Sequence, residues 1–163
     1  MDIFLPDLVA TARFGQAAAQ VAVSFPRLVP VFFYGALGMG KTTLISEIVR
    51  ALPGGEDAET SSPSFTLCNM YATSPPVAHF DLYRQEDGAA DESLLDFLDG
   101  ERHLVLVEWA ERLPEHALPP ERLSLAITAR DDGRAVCLTA AGANAEAFLA
   151  ALETAFRSHA LTR

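Results

Sequence analysis

One short segment of the chain carries the residues with the most specific chemistry. Residues 35–42 read Gly-Ala-Leu-Gly-Met-Gly-Lys-Thr and match the pattern G-x-x-x-x-G-K-[ST] without a gap. Glycines let backbone N–H groups approach phosphate oxygens without a clash from Cβ. In this pattern the lysine reaches the β- and γ-phosphates, and the following hydroxyl serves Mg²⁺. The segment therefore predicts a phosphate-binding loop in which Lys41 and Thr42 have these two roles.

A phosphate-binding loop has to follow a strand and open a helix, and the sequence predicts both neighbours. Residues 29–34 form a β-rich apolar run, and residues 42–52 indicate a helix that ends at Pro53 and two glycines. A helix that begins at the loop adds the positive end of its dipole to the phosphate site. Because this context agrees with the motif, we predict that the chain binds a nucleoside triphosphate.

A second group of candidate residues is acidic. P-loop enzymes need a carboxylate at the end of a strand, where it holds Mg²⁺ and polarises the attacking water. Glu108 directly follows the buried run 104–107, and Asp81 lies on another strand-like stretch. The sequence leaves open which of the two ligates the cation, and Asp81 has the alternative of an ion pair with Arg84. Residues 62–66 lie where such enzymes keep a switch that senses the γ-phosphate.

The charge balance excludes some partners. The 163 residues include 12 basic and 22 acidic side chains, which give a net charge of -10. Direct binding of a nucleic acid or of an acidic membrane normally needs a basic face, so we do not expect it. Only one of the basic residues is a lysine, and it is Lys41. The guanine-reading pattern Asn-Lys-x-Asp needs a second lysine, so a GTPase is disfavoured.

The remaining composition predicts a single cytoplasmic domain over residues 1–163. The two cysteines form no C-x-x-C pair, and the four histidines form no zinc-binding pattern. No apolar run approaches the length that spans a bilayer, and the first residues lack the basic region of a secretory signal.

The other segments predict an α/β fold around this site. Asp7 and Asn144 are predicted helix N-caps, and Asp131-Asp132-Gly133 indicates a hairpin. We expect a single-domain P-loop NTPase fold with a mixed, mostly parallel sheet flanked by helices. Further helices are predicted at 8–24, 92–98 and 144–156, and further strands at 65–71, 77–83, 104–107, 123–130 and 134–140.

Taken together, these motifs resemble the bacterial TsaE family. The resemblance rests on four segments in the order and spacing of that family, namely residues 35–43, 62–67, 79–84 and 107–112. Thr11 and Gly15 also look like its N-terminal T-x-x-h-G signature. The combination of Ser-Pro-Ser-Phe-Thr-Leu, His-Phe-Asp-Leu-Tyr-Arg and Val-Glu-Trp is specific, whereas the phosphate-binding loop alone is generic.

The resemblance implies a Mg²⁺-dependent ATPase that supports TsaB and TsaD proteins in forming threonylcarbamoyl-adenosine (t6A37) in tRNA. It implies that Lys41, Asp81 and Glu108 are catalytic and that Thr42 and Glu108 ligate Mg²⁺. A partner would hold the tRNA. The residues expected to bind ATP are Thr11, near the adenine, and Gly35, Leu37, Gly38, Met39, Gly40, Lys41, Thr42 and Thr43. Trp109, Tyr83 and Arg84 belong either to the active site or to the face that meets TsaD.

Two other functions stay open at the level of sequence. A small-molecule kinase would share the phosphate-binding loop, although it would also need an acceptor pocket and an arginine-bearing lid. A nucleotide-gated interaction module would bind ATP and hydrolyse it negligibly, a reading against which Asp81 and Glu108 argue. ATP turnover, measured with and without protein partners and small acceptors, separates the three.

Overall fold

A seven-stranded sheet organises the computed structural model, which describes residues 1–86 and 90–161. The strands are β1 (Asp2–Leu5), β2 (Val31–Tyr34), β3 (Cys68–Tyr71), β4 (Val77–Asp81), β5 (Leu104–Glu108), β6 (Arg122–Arg130) and β7 (Gly133–Ala141). The helices are α1 (Leu8–Ser24), α2 (Lys41–Ala51), α3 (Glu92–Asp99) and α4 (Ala143–Leu161).

The strands follow the order β1-β7-β6-β2-β5-β4-β3 across the sheet. Strands β6, β2, β5 and β4 run parallel to one another, whereas β7, β1 and β3 pair antiparallel with their neighbours. The prediction of an α/β fold with a mostly parallel sheet and mixed margins is therefore confirmed. Strand β2 lies near the centre, so the loop that follows it opens at the carboxyl ends of several parallel strands.

Side chains on the central strands alternate between two cores, as the pleat of a sheet requires. On one face, Val31, Phe33 and Leu106 pack with the buried sides of α1, α2 and α4. On the other face, Phe32, Phe80 and Val107 pack with Leu94 of α3 in a smaller cluster. Helices therefore cover both faces of the sheet. None of the helices in the described part of the chain is long and apolar enough to cross a membrane.

The N-terminal helix follows its predicted pattern. Asp7 is its N-cap, and the side chain accepts a hydrogen bond of 2.8 Å from the backbone N–H of Ala10. Gly15 lies inside this helix, where a Cβ would come within 2.6 Å of the carbonyl carbon of Glu47. The absence of a side chain at Gly15 therefore lets α1 and α2 approach closely.

Several predicted boundaries are wrong. The strand predicted at 77–83 ends at Asp81, and the helix predicted at 144–156 extends to Leu161. Two other boundaries differ for local reasons. The last helix begins at Ala143 and lacks the predicted Asn144 cap, because the carboxylate of Glu121 accepts the backbone N–H of Ala145 at 2.9 Å. The strand predicted at 65–71 begins only at Cys68. Before it the chain turns, since the backbone N–H of Leu67 donates to Pro63 O at 2.7 Å and Leu67 has a φ of 66°.

Candidate functional site

The predicted phosphate-binding segment forms a loop between β2 and α2. Gly35, Gly38 and Gly40 have φ angles of 140°, 78° and 94°, in the region that L side chains rarely adopt. A Cβ at Gly35 would also lie 2.6 Å from the carbonyl oxygen of Ile127. Helix α2 begins at Lys41, so its first backbone N–H groups face the loop. The local geometry is therefore suited to an anion.

The only lysine lies inside this loop and is just 4% exposed. Lys41 Nζ donates hydrogen bonds to Gly35 O and, at 3.1 Å, to Ala36 O. It also lies 3.8 Å from the ring centroid of Trp109, a cation–π distance. Burial lowers the pKa of Lys41, and the nearby carboxylates of Glu108, Glu111 and Asp81 partly oppose that shift.

Thr42 and Glu108 face each other across the loop and the end of β5. Thr42 Oγ1 lies 2.8 Å from Oε1 and 3.0 Å from Oε2 of Glu108, so the hydroxyl donates to this carboxylate. Hydroxyl and carboxylate oxygens are ligands that suit Mg²⁺, which usually takes few from the protein. Among the described residues no group of three or more His, Cys, Asp or Glu could hold a metal ion. A cation bound by this pair would need further ligands, which phosphate or water oxygens could supply.

Asp81 lies beside Glu108, because the two residues pair in the register of β4 and β5. Its Oδ2 accepts a hydrogen bond from Ser62 Oγ, and its Oδ1 accepts the backbone N–H of Tyr83 at 2.8 Å. The segment predicted as a γ-phosphate switch thus reaches the acidic pair through Ser62. The guanidinium of Arg84, the alternative partner for Asp81, instead lies 4.1 Å from the ring centroid of Phe65.

Trp109 follows Glu108 and turns back over the site. Its φ is 59°, an uncommon value for a large side chain. The indole stacks on Lys41 and lies 4.9 Å from the ring of Tyr83, measured between centroids. Two aromatic rings therefore line one side of the cleft that contains the lysine.

Cavities lie on both sides of the loop. A cleft of about 350 Å³ is lined by Lys41, Thr42, Asp81, Glu108 and Trp109 among others. A second cavity of about 280 Å³ lies between the loop, the start of α1 and the β6–β7 turn. Gly38, Met39, Gly40 and Thr43 line both cavities, so one elongated ligand could reach from one to the other. A wider groove of about 670 Å³ between α1 and α2 contains none of these residues.

Thr11 and Arg134 both line the second cavity. The Thr11 hydroxyl donates to Asp7 O at 2.9 Å on the helix side. From the hairpin side, Arg134 Nε donates to Met39 O at 3.1 Å and so ties β7 to the loop. The predicted site residues thus gather at the loop and its two cavities. Among them, Leu37 is exposed, with 70% of its surface accessible.

Sequence reasoning gave no separate role to Arg134 or His79. His79 Nε2 lies 2.9 Å from Glu108 Oε1 in the interior of the sheet. The signal for His79 is its place on β4, where it shares a face with Asp81 because the two are two residues apart. No local pattern marks Arg134, since the loop that it contacts lies 95 residues away in sequence.

The chain is similar to several proteins that share the same name. A model of the family described as threonylcarbamoyl adenosine biosynthesis protein TsaE matches residues 5–136. The "tRNA threonylcarbamoyladenosine biosynthesis protein TsaE" of Bacillus subtilis is 37% identical over 130 residues, which cover 78% of this chain and 80% of that protein. The protein with the same description from Synechocystis is 38% identical over 120 residues, 71% of this chain and 73% of that protein. The crystal structure of Bacillus subtilis YdiB superposes with a TM-score of 0.73 at 27% identity and covers 94% of both chains.

Proposed function

The chain belongs to the TsaE family, and on that premise we propose that it binds and hydrolyses Mg²⁺–ATP in support of the TsaB–TsaD machinery that forms t6A37 in tRNA. The family itself takes part in the biosynthesis of threonylcarbamoyl-adenosine in tRNA, and nucleotide binding fits it. The observation that carries the proposal is the pairing of Thr42 with Glu108 beside Lys41, at the end of the central strands.

The two cavities support a nucleotide that lies across the loop. The cleft with Lys41 has the charge and the oxygen ligands for the phosphates and the cation. The cavity beside Thr11 is lined by apolar side chains such as Leu5, Ile127 and Val136, as a flat base requires. We assign the adenine to that cavity and the triphosphate to the cleft.

Within this proposal each side chain of the cleft has one task. Lys41 neutralises charge on the β- and γ-phosphates. Thr42 and Glu108 would hold Mg²⁺, which would neutralise further charge on the phosphate oxygens. Asp81, which lies beside Glu108 in the sheet register, orients the attacking water. The hydrogen bond from Ser62 to Asp81 links that carboxylate to the preceding turn.

The mouth of the cleft supports a role for protein partners. Tyr83 lines the cleft beside Trp109. Its neighbour Arg84 lies against the ring of Phe65, which is 84% exposed. We assign the exposed side chains of Phe65, Tyr83 and Arg84 to the face that meets TsaD. With a net charge of -10, the chain leaves the tRNA to its partners. The proposal places the protein in the cytoplasm, as one domain over residues 1–163.

ATP turnover in three settings tests this function. We expect slow hydrolysis by the isolated protein and faster hydrolysis with TsaB and TsaD, because partners can complete a P-loop site in trans. Lys41→Ala should lose nucleotide binding or hydrolysis, whereas Arg50→Ala on the exposed side of the same helix should keep both.

Two results would replace the proposal. Phosphorylation of a small acceptor, with no effect of TsaB and TsaD, would make the protein a kinase. Binding of ATP with no hydrolysis in any setting would make it a nucleotide-gated module. Wild-type binding and turnover by Lys41→Ala would contradict the assignment of the phosphate-binding loop.

A further inference from the structure

We propose that His79 is a positioning residue that fixes the carboxylate of Glu108 through a hydrogen bond from Nε2. This inference rests on the proposed function only where it concerns Mg²⁺ and ATP, since the contact between His79 and Glu108 involves neither ligand. It assigns a task to a buried histidine that takes no direct part in the proposed chemistry.

His79 has the placement that such a task needs. It is 1% exposed, and its Nε2 lies 2.9 Å from Glu108 Oε1. The ring is stacked on Tyr71, with the centroids 6.4 Å apart and the planes at 22°. Because packing fixes the ring, the direction of its N–H bond is fixed as well.

The hydrogen-bond partners of the two ring nitrogens of His79 indicate which nitrogen carries the proton. His79 Nδ1 is buried and has no hydrogen-bond partner within residues 1–86 and 90–161. A proton there would leave a buried donor unpaired, which is costly, whereas a proton on Nε2 meets a carboxylate. Nε2 is therefore the donor and Glu108 Oε1 the acceptor.

Two donors from different elements then hold one carboxylate. Thr42, at the start of α2, approaches from the loop, and His79 approaches from β4 inside the sheet. Carboxylate oxygens have lone pairs enough to accept both bonds and still face the cleft. Outer partners of this kind orient metal ligands, and removing one typically costs about 10–100-fold in metal affinity or activity.

Substitutions at His79 separate this task from simple packing. His79→Phe keeps an aromatic ring against Tyr71 but removes the donor, whereas His79→Gln can place an amide N–H near the position of Nε2. The control is His116→Gln, a change at an exposed histidine. Thermal unfolding checks that each variant is folded.

The first readout is the affinity for Mn²⁺, used as the probe cation in the presence of ADP and followed by electron paramagnetic resonance. We expect His79→Phe to weaken Mn²⁺ binding by about tenfold or more, to lower kcat, and to leave the KM for ATP unchanged. His79→Gln should recover most of the Mn²⁺ affinity. In a Glu108→Ala background, His79→Phe should cause no further loss, because the acceptor of the His79 hydrogen bond is already removed.

The second readout needs no nucleotide. Nitrogen-15 spectra of the histidine rings should report the proton of His79 on Nε2, with a signal that moves in Glu108→Gln. This spectrum decides the contact even if the protein proves to bind no ATP, or if His79→Phe does not fold. A proton on Nδ1, wild-type Mn²⁺ affinity in folded His79→Phe, or the same loss in the Glu108→Ala background would each overturn the inference.

Discussion

Contacts hold individual side chains in the cleft and also restrict which residues could be substituted at those positions. The ammonium of Lys41 fits between two backbone carbonyls of the loop and the face of Trp109. The positions of Lys41 and Thr42 at the start of α2 could be predicted from sequence because they follow from a contiguous motif. The partner of His79 could not, since Glu108 is 29 residues away and only the register of β4 and β5 brings them together.

Replacing Lys41 by arginine tests this fit while keeping the charge. We expect Lys41→Arg to weaken ATP binding by at least about tenfold, because a planar guanidinium does not reproduce a compact ammonium at the phosphates. Isothermal titration calorimetry measures the affinity, and Arg50→Lys on the same helix is the matched control. Wild-type affinity in Lys41→Arg would mean that charge alone suffices.

The thiol of Cys68, at the start of β3, tests how burial changes a pKa. Desolvation, assisted by the charge of Asp91, raises the pKa of Cys68 from 9.0 to about 11. The unfolded chain loses this proton first, so the contribution of Cys68 to the free energy of unfolding falls as pH rises from 9.0 to about 11.

Alkylation by iodoacetamide follows the Cys68 thiolate directly in a Cys137→Ser background. We expect its rate to rise with a midpoint near 11 in the folded protein. The same variant unfolded in urea should show a lower midpoint, and equal midpoints in the two states would refute the effect of burial.

At the scale of elements, the loop depends on how helices and strands meet. The helix and central strands around the loop could be predicted, since their apolar patterns are local. Strand β1 was not predicted, because its four residues are paired only through β7, at the other end of the sequence. The prediction of Asn144 as an N-cap is wrong for a similar reason, because the acceptor for the N–H of Ala145 comes from Glu121, which lies outside the helix.

The close approach of α1 and α2 predicts a large effect of a small substitution. Gly15→Ala should destabilise the protein by about 1–3 kcal/mol, the usual cost of overpacking, because the new Cβ meets the backbone of Glu47 at 2.6 Å. Unfolding in urea measures the change. Gln16→Ala, at the exposed neighbouring position, should have little effect, and an equally stable Gly15→Ala would show that the helices can separate at no cost.

At the scale of the whole molecule, the site is assembled from segments that are far apart in sequence. The start of α1, the loop after β2, the ends of β4 and β5 and the β6–β7 turn all reach the two cavities. A parallel centre could be predicted because buried apolar strands alternate with helices. The strand order could not, because it depends on pairings between distant segments.

The overall charge predicts that the isolated protein binds RNA weakly. We expect binding to tRNA no tighter than about 10⁻⁴–10⁻⁶ M at physiological salt, the range of non-specific contacts, because acidic residues outnumber basic ones by 22 to 12. Filter binding measures the affinity, with the mixture of TsaB, TsaD and this protein as the positive control. Tight binding by the isolated chain would contradict the assignment of the RNA to its partners.

Because Lys41 is the only lysine and is buried, it can serve as a specific site for chemical labelling of the phosphate-binding loop. Apart from the chain terminus, an amine-reactive ester finds one target, and Lys41 is reached only when Trp109 and the loop carbonyls release it. The rate of acylation at this single position therefore measures how often the empty site opens. A bound triphosphate would slow that reaction, so mass spectrometry of one peptide can follow occupancy without any added reporter.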